Sequence, residues 1–237
     1  MVDEKLLKTE LETKMGNFLL GLGFRLEIFR SVKKKLDVYL ASDFSVFDLI
    51  VPDENRLSDI IADLISPAGK HGQGNIFLIE FLKIIGCEKL NNIDICNIRR
   101  EESTDYLSKP GRRIDIIIDF NNFGIGIENK PWAGEQEDQI NDYCRHLESK
   151  YKDKFCLIYL SGNGNKPQSI EKVKWQRLEQ QGKAKVISYP DKFKEWIKSC
   201  YKECKAEKIR WFLQDFVNYV ERNFRIENEE MRQEGSL

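Results

Sequence analysis

Residues 113–130 read RIDIIIDF NN FGIGIENK, in which two alternating apolar runs are joined by a pair of asparagines. Two such runs separated by two residues are typical of a β-hairpin, and asparagine tolerates the positive φ that a tight turn needs. Pairing the two phenylalanines that flank the asparagines sets the register of the strands. In that register we expect Asp115 to lie directly opposite Glu128. Arg113 then lies opposite Lys130.

The two faces of this hairpin differ in character, because side chains alternate along a strand. One face is expected to be core: Ile114, Ile116, Ile118, Phe120, Phe123, Ile125 and Ile127. The other face carries two glycines and most of the charge: Asp115, Ile117, Asp119, Gly124, Gly126, Glu128 and Lys130. Carboxylates directly opposite one another destabilise a sheet, and a bound cation such as Mg²⁺ would remove that cost. The glycines leave room for a close approach to the backbone.

Length and composition indicate one ordinary domain with elaborations. The chain has 237 residues, of which 41% are hydrophobic and 32% charged, and we expect no second independent core. The formal net charge is −1, so an overall positive surface for nucleic acid is missing. The 38 Lys and Arg residues could still concentrate on one side of the molecule. The charge total therefore weakens a nucleic-acid function without excluding it.

Cysteine usage and the N-terminus indicate the compartment. The six cysteines form no CxxC pair, which disfavours a zinc ribbon or a thioredoxin-like site. The first five residues, MVDEK, show no signal-peptide pattern, and no apolar run approaches the ~18 residues that a membrane span needs. We therefore expect a protein of the reducing cytoplasm with no membrane partner.

Hydrophobic periodicity predicts the remaining elements. Helices are expected at 3–20 and 24–41 (separated by a Gly-Leu-Gly), after Asp53, around 77–85, at 135–151 and at 206–224, and further strands at 93–102, 155–160 and 184–189. This order predicts an α/β (α+β) fold with a mixed sheet of about five strands flanked by helices. The domain prediction is an N-terminal helical extension at 1–46, a core at 47–200, a C-terminal helix packing on it at 201–227, and a disordered tail at 228–237.

The order of elements, with an aspartate on the second strand and Glu128-Asn129-Lys130 on the third, resembles the PD-(D/E)xK nuclease superfamily. Ile114 stands where the name of the family has proline, a departure that the superfamily tolerates. The chain also resembles a bacterial branch labelled simply "PD-(D/E)xK nuclease family". That likeness covers roughly residues 50–160 and rests on three groups of residues: 54–58, 64–67, 71–74 and 77–78; 113–115 with 127–130; and 135–136 with Gln139 and Tyr143. The resemblance implies a restriction-endonuclease-like core.

The resemblance also implies roles for individual residues. Asp115 and Glu128 would bind Mg²⁺ or Mn²⁺, helped by the backbone carbonyl of Asn129. Lys130 would position the attacking water or stabilise charge on the phosphate, and Glu54 would complete the metal shell or orient water. Gln139 and Tyr143 match the family's glutamine-x-x-x-tyrosine feature and lie one helical turn apart. The resemblance implies a catalytic role for Gln139 and substrate binding for Tyr143.

Several of these residues have plainer interpretations. Glu54 could simply favour a helix start, and three nearby acids compete for its role: Asp53, Asp59 and Asp63. His71, a candidate for substrate binding, could be a turn histidine bonded to backbone. On the first strand Glu101 and Glu102 fit the site about equally well, and strand phase decides between them. Glu-x-Lys alone carries little weight, because it recurs at 12–14, 148–150 and 203–205 in helical stretches.

These observations predict a metal-dependent nuclease that hydrolyses phosphodiester bonds, with DNA as the expected substrate and a bacterial defence or mobile-element system as the expected context. One alternative is a catalytically silent module that binds or senses nucleic acid. Another is a partner-dependent subunit of a defence complex. Double-strand cleavage would suit a homodimer, but no surface stripe in the sequence establishes one.

Overall fold

The computed structural model describes residues 2–90, 96–103, 112–132 and 134–225. The predicted tail at 228–237 and the start of the predicted first strand, 93–95, lie outside these ranges. The chain divides into two compact units between Ser45 and Val46. In the described part of the chain, no helix combines the length and the hydropathy that a bilayer crossing requires.

The first unit contains a single long helix, α1 (Val2–Leu40). The prediction of two helices separated by Gly-Leu-Gly is therefore wrong, because Gly21 and Gly23 both lie inside α1. An internal glycine costs a helix only about 1 kcal/mol relative to alanine. No proline accompanies this pair, so the helix-forming residues on both sides carry the helix through it.

The second unit is built around a five-stranded sheet with the strands in sequence order. The strands are β1 (Asn97–Ser103), β2 (Arg113–Asp119), β3 (Gly124–Lys130), β4 (Phe155–Ser161) and β5 (Ala184–Ser188). The first three strands pair antiparallel, whereas β3–β4 and β4–β5 pair parallel. The predicted mixed sheet of five strands is confirmed.

The hairpin of β2 and β3 has the predicted register. Ile116 pairs with Ile127 and Asp119 pairs with Gly124. The turn is closed by the backbone N–H of Phe120, which donates to the carbonyl of Phe123 at 2.9 Å. The first turn asparagine takes the expected positive φ, 64°.

Helices cover both faces of the sheet. They are α2 (Val46–Ile50), α3 (Glu54–Ile65), α4 (Ile76–Ile84), α5 (Gln139–Tyr151), α6 (Lys172–Gln180), α7 (Lys194–Glu203) and α8 (Glu207–Asn223). The larger core includes residues of α3, α4, α7 and α8 together with Ile116, Ile118, Ile125 and Ile127 of the hairpin. The smaller core joins α5 to the opposite face. The predicted amphipathic C-terminal helix is α8, and its apolar stripe packs into the larger core.

Two details of the hairpin faces differ from expectation. Ile114 was predicted to pack with Ile116, but it lies in the smaller core. Its place in that core departs from the strict alternation of side chains that the sequence prediction assumed. The space above the hairpin glycines is filled by α5: a Cβ on Gly124 would overlap the ring of Tyr151, and one on Gly126 would lie 3.0 Å from Leu147. These glycines let a helix approach the sheet closely.

Candidate active site

Asp115 and Glu128 occupy the open end of the hairpin, one residue beyond the pair that Ile116 of β2 forms with Ile127 of β3. The Asp115 Oδ2 accepts a hydrogen bond of 2.8 Å from the backbone N–H of Asn129. This bond orients the aspartate across the end of β3. Both carboxylates line a cavity of about 300 Å³, together with Glu54, Glu101, Arg112, Arg113, Lys130, Gln136, Gln139 and Tyr143.

Lys130 joins the carboxylates at this cavity. Its Nζ lies 2.6 Å from Glu54 Oε1 and 3.0 Å from Glu128 Oε1. Burial lowers the pKa of Lys130, but attraction to Glu128 and the hydrogen bond to Glu54 outweigh it, so the pKa lies above its ordinary value. Lys130 is therefore a charged ammonium held between two carboxylates.

Glu54 reaches Lys130 because it is the first residue of α3, which packs against the sheet. The neighbouring acids have other partners. Asp53 caps α3 by accepting from the backbone N–H of Arg56 at 2.7 Å. Asp59 pairs with Arg100 at 2.9 Å, and Asp63 accepts from the backbone of the loop after α3. Of the four acids weighed for this position, Glu54 is the one that the fold brings to the site.

The glutamine and tyrosine of α5 brace Glu128. Gln139 Nε2 donates to Glu128 Oε1 and to the Tyr143 hydroxyl, both at 2.9 Å. The Tyr143 hydroxyl donates in turn to the carbonyl of Arg113 at 2.7 Å. The predicted helix at 135–151 begins later, at Gln139. Glu135 lies outside it, because its carboxylate binds the Tyr159 hydroxyl and two backbone N–H groups of the loop after β4.

Asn129 has a structural role that sequence reasoning missed. Its side-chain Nδ2 donates to Ser58 Oγ at 2.9 Å, and its Oδ1 accepts from the Tyr189 hydroxyl at 2.8 Å. These bonds tie the end of β3 to α3 and to the segment after β5. The side chain thereby fixes the strand that carries Glu128 and Lys130.

The electrostatics of the two carboxylates favour a bound cation. Burial raises the pKa of Asp115, and repulsion from Glu54 adds to the rise against the opposing hydrogen bond from Asn129. Burial also raises the pKa of Glu128 well above its ordinary value, with repulsion from Asp115 as the next cause. Glu128 Oε2 is buried and has no hydrogen-bond partner within the described ranges. A cation would satisfy this oxygen and relieve the repulsion.

The residues present fit a hard divalent metal with an incomplete protein shell. Over the described parts of the chain, no group of three or more His, Cys, Asp or Glu side chains is arranged to hold a metal. Mg²⁺ does not require three protein ligands, since it commonly binds one or two carboxylates and takes waters and substrate phosphate for its other positions. Asp115 and Glu128 supply such a pair.

Two arginines that were not predicted there also line the cavity, together with Glu101, one of the two alternatives weighed on the first strand. Arg113 pairs with Glu101 at 2.8 Å, which settles the strand phase in favour of Glu101 over Glu102. Arg112 is buried and pairs with Asp142 of α5. The available signal was the position of the two arginines, two and three residues before Asp115 in the sequence.

His71 is not brought to this cavity. It lies buried in the turn between α3 and α4, and its ring packs 4.7 Å from that of Phe77. Its Nδ1 accepts from the backbone N–H of Gln73 at 3.0 Å, which leaves Nε2 to donate to the carbonyl of Ser66 at 2.9 Å. These bonds match the plainer interpretation of a turn histidine.

A family model described as the PD-(D/E)XK nuclease superfamily matches residues 44–218. The match covers all five strands and most of the second unit. No curated protein and no solved structure is significantly similar to the chain.

Proposed function

Since the chain belongs to the PD-(D/E)XK nuclease superfamily, we propose that it is a metal-dependent nuclease that hydrolyses phosphodiester bonds in DNA. The observation that carries this proposal is the buried group of Asp115, Glu128 and Lys130 at the open end of the hairpin. It combines two carboxylates in need of a cation with an ammonium that can face a phosphate.

The residues divide the chemistry between them. Asp115, Glu128 and the backbone carbonyl of Asn129 would hold Mg²⁺ or Mn²⁺, which supplies charge neutralisation and a more acidic water when bound. Lys130 donates to a phosphate oxygen or to the attacking water and stabilises the negative charge that builds up in the transition state. Glu54 orients Lys130, and Gln139 keeps Glu128 turned into the cavity.

A second, larger cavity gives the substrate a place to lie. It has a volume of about 690 Å³, shares Lys130 and Gln136 with the site, and is lined by the loop after β4. Trp132 is 46% exposed at this cavity, and Arg225 also lines it. An exposed aromatic ring and a cation in one cavity suit a nucleotide, because bases stack on aromatic rings and phosphates attract positive charge. This cavity supports a nucleic-acid substrate.

The proposal is tested by cleavage of supercoiled plasmid, linear duplex, single-stranded DNA and RNA of matched sequence, with Mg²⁺, Mn²⁺ or EDTA. Lys130→Ala should lower the cleavage rate by about 10²–10³-fold, as expected for loss of a group that stabilises transition-state charge. Lys150→Ala is the matched control, because Lys150 is also paired with a carboxylate but lies outside the cavity.

Either of two results would contradict the proposal. One is cleavage that survives both EDTA and Lys130→Ala. The other is a folded wild type that binds DNA but cuts none of the substrates with either metal, which would favour a binding module.

A further inference from the structure

Helix α1 carries an apolar seam whose spacing differs from that of an ordinary surface helix. Steps of alternately four and three residues from Leu11 pass through nine positions, and all but one are apolar: Leu11, Met15, Phe18, Leu22, Arg25, Phe29, Val32, Leu36 and Tyr39. This is the a/d pattern of a heptad repeat, sustained over four heptads. A 3.5-residue period drifts around a straight helix, so its seam stays buried only against another helix that winds with it.

The side chains of this seam are exposed. The apolar members range from 43% exposed at Leu22 to 86% at Tyr39. Large side chains offer roughly 150–250 Å² each, so eight of them at this exposure present on the order of 1,000 Å². The largest apolar patch on a typical monomer is only about 300–600 Å². An apolar surface of this size indicates an interface.

The area also matches what a stable pair needs. A standard protein interface buries about 800 Å² on each partner, and the seam offers about that much. Leu19 and Leu26 lie beside the seam and are 57% and 45% exposed, which adds to its width. The family match begins at residue 44, after α1, so this helix is an addition to the nuclease core.

We propose that α1 associates with α1 of a second copy of this chain as a coiled coil. The seam is self-complementary, because almost every position presents an apolar side chain to its counterpart. Its one charged residue is Arg25. Parallel, in-register pairing brings the two arginines into one layer, where their long side chains can reach solvent. A shifted register would bury each guanidinium against apolar side chains.

The direct test is the mass of the full chain in solution, by sedimentation velocity and light scattering across 1–50 µM. The wild type should give twice the 27.8 kDa of one chain. The double variant Leu22→Glu/Phe29→Glu should raise the dissociation constant by roughly 100-fold or more, because it buries charge in the seam. Leu20→Glu/Val38→Glu is the matched control: these residues are 75% and 81% exposed on the same helix but lie off the seam. The control should remain a dimer.

A second pair of variants guards against simple unfolding of the helix. Arg25→Leu replaces the one charged seam residue and should tighten association by about tenfold or more, since a polar core residue reduces coiled-coil stability. Arg30→Leu replaces an arginine that lies outside the seam and should leave the dissociation constant unchanged. A monomeric wild type at 50 µM, or equal dissociation by the seam and control pairs, overturns the proposal. None of these readouts depends on nuclease activity.

Discussion

Asp115 and Asp119 lie four residues apart on β2, yet the groups around them balance their charges differently. Asp119 belongs to a cluster in which Arg99 lies 2.9 Å away and Lys150 3.8 Å away. Lys150 also pairs with Glu102 at 2.6 Å. In this compensated cluster, two carboxylates face two permanent cations.

At the site of Asp115 one ammonium is shared between carboxylates. Lys130 lies between Glu54 and Glu128, while the two arginines that line the same cavity pair with other acids: Arg113 with Glu101 and Arg112 with Asp142. The pKa values show the contrast. Burial raises the pKa of Glu102, but ion pairs with Lys150 and Arg99 outweigh it and the pKa falls, whereas the pKa of Glu128 rises. One strand thus carries a compensated structural cluster and, toward its other end, a carboxylate cluster whose repulsion a bound cation would relieve.

The largest expected effect comes from neutralising one aspartate in each cluster. Asp115→Asn should reduce cleavage by at least about 10²–10³-fold, because the proposed metal site would lose one of its two carboxylates. Asp119→Asn should change the rate by less than about threefold, since it breaks only partly exposed ion pairs. Initial rates on the best DNA substrate at saturating Mg²⁺ measure both. Equal losses in the two variants would show that the contrast has no functional meaning.

The hairpin is the part of the fold that can be predicted most completely from the sequence, because a two-residue turn sets the register locally. The pairing that joins Ile116 to Ile127 follows from the turn alone, and it places Asp115 beside Glu128. The same local logic failed for α1, where a Gly-Leu-Gly is compatible with either a break or a continuous helix. Only the context on both sides decides between these outcomes.

The rest of the site depends on packing that no local pattern contains. Which of four acids near residue 54 meets Lys130 is decided by how α3 lies on the sheet. The bonds from Asn129 to Ser58 and Tyr189 join residues that are 71 and 60 positions apart. The compensated cluster was equally invisible, because Lys150 is brought to Glu102 across 48 residues.

Mg²⁺ should stabilise the folded protein by binding at the cluster of Asp115 and not at the cluster of Asp119. At a concentration of 100 times the dissociation constant, Mg²⁺ should stabilise the wild type by about 2.7 kcal/mol, because it binds the folded state. For a chain of this size that corresponds to a rise of roughly 5–10 °C in Tm. Thermal unfolding with Mg²⁺ and with EDTA should show the shift in wild type and in Asp119→Asn. It should be absent in Asp115→Asn, and a full shift in that variant would place the metal elsewhere.

The smallest expected effect is a difference in the sign of pH dependence, measured by urea unfolding in EDTA between pH 3.5 and 7. The folded-state pKa of Glu128 is raised, so the folded protein holds this proton more tightly than the unfolded chain does. Stability linked to Glu128 is therefore present below the ordinary carboxyl pKa, about 4.3, and is lost as pH rises through the folded value. Glu128→Gln should become progressively more stable relative to wild type as pH increases.

Glu102 should behave in the opposite way, because its pKa is lowered by Lys150 and Arg99. Its contribution is present above about pH 4.3 and is lost as pH falls through the folded value. The stability of Glu102→Gln should thus converge on that of wild type at the acid end of the series, where Glu102 becomes protonated. If the stability differences of Glu128→Gln and Glu102→Gln from wild type changed with pH in the same direction, the two clusters would share one charge balance. Opposite slopes would establish the uncompensated charge at Glu128 without any reference to catalysis.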